Sequence, residues 1–179
     1  MIGAMRQGDF MRMSGSIVRH AVVAGMACML AAAPAHAQEA KSTEVVVAPL
    51  ELKWGPAPPV FEKGASMAVV AGDPSKAAPF VVRLKMPAGY KINPHWHPTD
   101  ENVTVISGTF AVAMGDTFTA AGMKSLPAGA FALLPAQMHH YAMAKTPAVV
   151  QVHAVGPFAL TYVNPADDPS KRVTPVPAK

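Results

Sequence analysis

Gly89-Tyr-Lys-Ile-Asn-Pro-His95-Trp-His97-Pro-Thr-Asp-Glu101, closed by Gly108, decides how this chain is read. Two imidazoles stand two residues apart, a carboxylate follows four residues later, and a glycine marks either end. In a β-strand, side chains at even spacing share a face. His95 and His97 therefore point the same way, and Glu101 joins them if the chain resumes extended after Pro98. Two imidazoles and a carboxylate on one face suit a redox-active or Lewis-acidic divalent metal while leaving coordination positions open. Given the composition, a chance match of all five positions is of order 10⁻⁴.

The spacing G-x5-H-x-H-x3-E-x6-G resembles the first motif of the cupins, with every position filled. The second cupin motif, G-x5-P-x-G-x2-H-x3-N, is matched in register by Gly129, Pro135 and His140. It departs at Gln137, where the family has Gly, and at Ala144, where the family often has Asn. The missing Gly matters if that turn needs positive φ, which Gln adopts reluctantly. The segment 109–128 between the motifs is short, as in small bacterial cupins, and the resemblance spans roughly residues 64–163.

The resemblance implies an all-β double-stranded β-helix, a jelly-roll barrel, with His95, His97, Glu101 and His140 as ligands of one divalent transition metal: Fe, Mn, Ni, Cu or Zn. Neutral imidazoles and one carboxylate suit these ions, and four protein ligands on an octahedral ion leave two adjacent positions for water, dioxygen or a chelating substrate. His139 and His140 compete for the fourth place, because strand neighbours face opposite ways. Motif spacing favours His140, which leaves His139 facing outward or at the rim supporting a ligand, and a register slip after Pro135 would reverse the choice. A barrel that keeps these histidines as packed core without a metal is the competing reading.

Gln151 and His153 share one face of a strand whose other face is Val150, Val152 and Ala154. Such a pair either contacts substrate, or orients a ligand from a polar cavity, or lies in solvent, which is the default for a half-exposed strand. Trp96 and Tyr141 flank ligands and should point away into packing. Asp100 either caps the turn before Glu101 or stands as a solvated loop carboxylate.

Residues 1–37 are expected to be a secretory signal peptide. Arg6, Arg12 and Arg19 form a basic start, Ala21 to Ala33 an apolar run, and Ala35-His36-Ala37 a cleavage site. The run is too short to span a bilayer. Cys28 lies inside it, so the remaining 142 residues contain no cysteine, and their stability must come from a core. The mature chain carries 12 basic and 10 acidic residues with no basic cluster longer than Lys171-Arg172, which argues against a nucleic-acid partner or an anionic membrane. A periplasmic or secreted location follows.

Residues 38–63, rich in Pro and Ala, read as an extended arm with an edge strand at Glu44 to Val47. Strands are expected at Met67–Ala71, Phe80–Met86, Val103–Ile106, Thr109–Met114, Ala130–Leu134, Val149–Val155 and Phe158–Val163, separated by Gly- and Pro-bearing turns. Helix should be nearly absent, and 164–179 should form a turn and a loose tail. Single cupins of this size commonly pair through an N-terminal strand, so the resemblance implies a homodimer.

No cysteine remains, no Ser sits in a nucleophile elbow, and no Gly-rich phosphate loop follows a strand. Chemistry must therefore run through the metal or through acid–base groups in the barrel. A metal-dependent enzyme acting on a small polar molecule is expected, of dioxygenase or oxidative decarboxylase type, or a Lewis-acid isomerase or lyase. The alternatives are a small-ligand or metal-binding module without turnover, and a structural barrel. Fold alone does not choose among them.

Overall fold

The computed structural model describes residues 44–172. The expected signal peptide and its cleavage site lie outside these residues, as does the end of the tail. Eleven strands follow in chain order: β1 (Gly55–Pro56), β2 (Ser66–Ala71), β3 (Pro79–Met86), β4 (Lys91–Trp96), β5 (Glu101–Ser107), β6 (Thr109–Met114), β7 (Lys124–Pro127), β8 (Phe131–Leu134), β9 (His140–Ala144), β10 (Ala148–Val155) and β11 (Thr161–Tyr162). They form two antiparallel sheets, ordered β1-β2-β3-β10-β5-β8 and β11-β4-β9-β6-β7. This is the jelly-roll arrangement that the motifs imply. The only helices among the described residues are three single 3₁₀ turns.

Alternation explains the barrel wall. Phe80, Val82, Leu84 and Met86 of β3 face inward, as do Val103 and Val105 of β5 and Ala148, Val150, Val152 and Ala154 of β10. They meet Ile92, Phe110, Val112, Leu126 and Ala142 from the other sheet in one core. Each fully buried large side chain among them, such as Phe80 or Met86, contributes about 1.5–3 kcal/mol. Tyr141 points the other way, into a smaller cluster with Ala111 and Met123, which fits its expected packing role.

The structure differs from the sequence reading at both ends of the barrel. Glu44 to Val47 is not a strand: it pairs with nothing among the described residues. The pairing falls instead at Gly55–Pro56 against Ser66–Met67, so the barrel takes in part of the expected arm. The expected strand Phe158–Val163 shrinks to Thr161–Tyr162, because Phe158 and Leu160 turn inward. Residues 164–172 are not loose. Asn164 and Asp168 each cap a 3₁₀ turn, and Arg172 pairs with Glu62 at 2.7 Å.

Candidate metal centre

β4 and β9 run side by side with His95 opposite His140. Strict alternation from the buried Ile92 would place His95 and His97 on the opposite face of β4. The pairing with β9 shifts register between Ile92 and His95, a bulge that turns the chain by one residue. Pro94, which could not donate to a regular ladder, sits in it. Beyond the bulge both imidazoles face inward, with His95 and His97 each only 3% exposed. Glu101 opens β5 on the same inward face as Val103 and Val105.

Hydrogen bonds fix which nitrogen each ring presents. Nδ1 of His95 donates to the Asn93 carbonyl at 2.7 Å, Nδ1 of His97 to the Ala159 carbonyl at 2.8 Å, and Nδ1 of His140 to the Met138 carbonyl at 3.0 Å. A carbonyl only accepts, so Nδ1 carries a proton in all three, and in the neutral ring the lone pair then lies on Nε2. Nε2 of His97 and of His140 is buried with no hydrogen-bond partner. These atoms stand 3.6 Å and 3.4 Å from Oε2 of Glu101. Lone pairs facing a carboxylate in a buried site are unfavourable unless something positive lies between them. One donor atom from each of His95, His97, Glu101 and His140 lies within 4.8 Å of the others. The residues fit a divalent ion.

Electrostatics agree. Burial pushes the His95 imidazole down to about 3, with the imidazoles of His140 and His97 adding to the effect. Burial likewise lowers His97. For Glu101 burial acts upward, but the imidazoles of His140, His97 and His95 outweigh it and hold the carboxyl below its ordinary value. The lowered His95, His97 and Glu101 favour neutral imidazole and ionised carboxylate, the forms in which these groups bind a metal.

His95, His97 and Glu101 form the floor of a cavity of about 350 Å³, at the small end of the roughly 300–1,000 Å³ typical of small-molecule sites, and His140 stands behind them in a smaller adjoining space. Its walls include Val60, Phe61, Met67, Phe80, Phe158 and Leu160, and the polar side chains among the described residues lining it are His95, His97 and Glu101. The expected polar substrate therefore meets an apolar wall. Phe158 stacks on His97 with ring centroids 4.3 Å apart and planes at 15°, and Tyr162 lies 6.2 Å from His95.

The remaining candidates are held elsewhere. His139 turns outward, and its Nδ1 is 2.7 Å from Asp116 Oδ1. Gln151 and His153 do not line the cavity, which corrects the pocket role considered for them. Period-two alternation gives that place to Val152 between them. Gln151 accepts a hydrogen bond from Arg83 Nε at 3.0 Å on the outer face. His153 is exposed beside a shallow groove with Thr99, Asp100 and Asn102. Asp100 bonds across to the other motif and not within its own turn, where a cap was expected: its Oδ1 accepts from the Ala136 amide at 2.7 Å, which ties the first motif to the second. Phe158 and the Ala159 carbonyl were not legible as site groups. Only the turn signal Gly156-Pro157 marked the segment that brings them to His97 from far along the chain.

A family model described as the ChrR cupin-like domain matches residues 42–159. No curated protein matches the chain by sequence. Among solved structures, a protein of Methylibium petroleiphilum PM1 provisionally assigned as an acetylacetone dioxygenase is 22% identical with a TM-score of 0.58, covering 73% of this chain and 88% of that one. The polyketide cyclase RemF from Streptomyces resistomycificus is 14% identical with a TM-score of 0.59, covering 72% and 92%. KdgF from a Halomonas species is 21% identical with a TM-score of 0.50, covering 64% and 96%. At these identities the likeness concerns the fold.

Proposed function

The chain belongs to the ChrR cupin-like domain family, and from that premise we propose that it is an exported, metal-dependent enzyme acting on a small molecule that chelates the ion. The observation that carries this reading is the ring orientation: three Nδ1–carbonyl hydrogen bonds leave three Nε2 atoms grouped with Glu101, and His95, His97 and Glu101 of that group form the floor of the cavity. His95, His97, Glu101 and His140 would hold the ion. A divalent first-row metal bound there would supply Lewis acidity and, if redox-active, reactivity with dioxygen.

This chain's own residues do the rest. The backbone carbonyls of Asn93, Ala159 and Met138 orient the imidazoles and raise their basicity. Phe158 covers one face of His97, and the apolar walls exclude water from the reacting centre. Among the described residues lining the cavity the acid–base side chains are His95, His97 and Glu101, the same groups that would hold the ion, so the wall adds no separate general base. Dioxygenase or oxidative decarboxylase chemistry suits such a site best, and Lewis-acid isomerisation would use the same residues.

The test is metal content of residues 38–179, recovered through the cell's export route, by elemental mass spectrometry beside His97→Ala. Near-stoichiometric Fe, Mn, Ni or Cu, lost in the variant, supports the site and directs an oxygen-uptake screen. Zinc directs the search to Lewis-acid substrates. Absence of metal after reconstitution overturns the enzymatic reading.

A further inference from the structure

Resting on the metal-site reading above, we propose that the cavity selects a molecule with a bidentate dioxygen head bearing a single negative charge and an uncharged, apolar body. Two independent observations lead there: the charge of the floor and the chemistry of the wall.

The group that would hold the ion comprises three imidazoles, each neutral when it ligates through Nε2, and one carboxylate, with His95, His97 and Glu101 facing the cavity. With a divalent ion this sums to a single positive charge. A monoanionic chelator brings the buried assembly to neutrality, whereas a dianion leaves a net negative charge and a neutral ligand leaves a positive one. An uncompensated charge away from water costs several kcal/mol even after relaxation, so the enclosed site discriminates by charge.

The wall supplies nothing to repair a mismatch. Val60, Phe61, Met67, Phe80, Phe158 and Leu160 offer only carbon and one thioether. Nearby cations are engaged on other surfaces. Arg83 bonds Gln151 on the outer face, Arg172 pairs with Glu62, and Lys85 lies 4.4 Å over the Trp54 ring. A second carboxylate, a phosphate or a row of hydroxyls entering the cavity would lose hydration and gain no partner. Aliphatic or aromatic carbon gains burial instead. 1,3-Dicarbonyl compounds, hydroxyketones and hydroxamates with hydrocarbon substituents satisfy both conditions once each has released one proton to solvent and binds as the enolate, alkoxide or hydroxamate monoanion. Sugars, amino acids and dicarboxylates fail the second.

The experiment uses the mature chain loaded with zinc, which is redox-silent, with zinc content measured on the same sample. Calorimetric titration compares heptane-3,5-dione with malonate, which has the same oxygen spacing but two negative charges. The dione should bind about 10²-fold more tightly. Leu160→Lys, in the loop before β11, should strengthen malonate and weaken the dione by about tenfold each. Met67→Lys serves as a second variant on a different wall, so that misfolding of one leaves the comparison intact. Malonate binding as tightly as the dione, or neither ligand binding the zinc-loaded chain, overturns the proposal and leaves the metal site standing. A chain that takes up no zinc overturns the metal-site reading and the proposal with it.

Discussion

Gln137 has a backbone φ of 61°, the one non-glycine residue with positive φ among those described. It occupies the place where the second motif has Gly, and its amide donates to the His97 carbonyl at 2.8 Å. The turn therefore keeps the conformation and forgoes the residue best suited to it. A left-handed conformation costs a non-glycine residue about 1–2 kcal/mol, while glycine costs about 0.5–1 kcal/mol through the unfolded chain. Gln137→Gly should thus stabilise by up to about 1 kcal/mol, raising Tm by about 2–4 °C in calorimetry, with the His97 contact retained. The ligands themselves give a second expectation: His97→Ala should abolish most bound metal by elemental analysis, whereas His139→Ala should leave it nearly unchanged. Equal losses would contradict the outward placement of His139 on Asp116. At this scale the sequence was informative about donor types, because even spacing and motif register speak for His95, His97, Glu101 and His140. It was silent about their orientation, because the carbonyl that holds His97 belongs to Ala159, 62 residues away.

The bulge in β4 shows what an element adds to its residues. Spacing alone made His95 and His97 partners, but the register shift decides that they face the core and not the solvent. The strands rich in Val, Phe and Leu were legible because alternation survives in them. β7 and β9 were not among the expected strands, since Lys124-Ser-Leu-Pro127 is short and His140-Tyr-Ala-Met-Ala144 lacks alternation. The turn before β6 was legible through Gly108. It has φ of 75°, and a Cβ there would run into the Pro147 carbonyl and approach Ala148 Cα to 2.9 Å. Gly108→Ala should cost about 2–4 kcal/mol in urea denaturation, because neither backbone segment can yield. The segment between β1 and β2, which supplies Val60 and Phe61 to the cavity wall, is held by two buried phenols. Tyr90 Oη donates to the Glu62 carbonyl at 2.6 Å and Tyr162 Oη to the Val60 carbonyl at 2.9 Å. Burial, with Glu62 nearby, pushes Tyr162 up to about 12, and burial also raises Tyr90. The unfolded chain ionises these groups near 10, so it binds fewer protons than the native state above that pH. Their contribution is complete below pH 10 and declines as pH rises towards 12. The urea midpoint should fall across that window, and the fall should be shallower in Tyr162→Phe, whose lost hydrogen bond lowers stability by about 1–2 kcal/mol at neutral pH.

At the scale of the whole molecule the barrel packs one apolar core and leaves large apolar side chains on its periphery. Val46 and Leu50, at 83% and 99% exposed, carry apolar side chains, Val46 on a stretch that pairs with nothing among the described residues and Leu50 in the 3₁₀ turn Pro49–Glu51 that follows it. At the far edge of the larger sheet, β8 exposes Phe131 and Leu133 beside unpaired backbone. An unprotected apolar edge and an unpaired apolar arm are each a liability in a monomer, and a second copy of the chain relieves both by accepting the arm. The expected edge strand at Glu44 to Val47 would then form only between copies, which accounts for its lack of a partner within one chain. The mature protein should accordingly sediment as a homodimer at micromolar concentration. Deleting residues 38–51 stops short of Leu52, which is buried in the barrel, and should shift the mass to that of a monomer while the barrel keeps its near-ultraviolet circular dichroism. A monomeric full mature chain would contradict arm exchange, and a dimer that survives the deletion would place the interface elsewhere, with the exposed edge of β8 as the surface to mutate next.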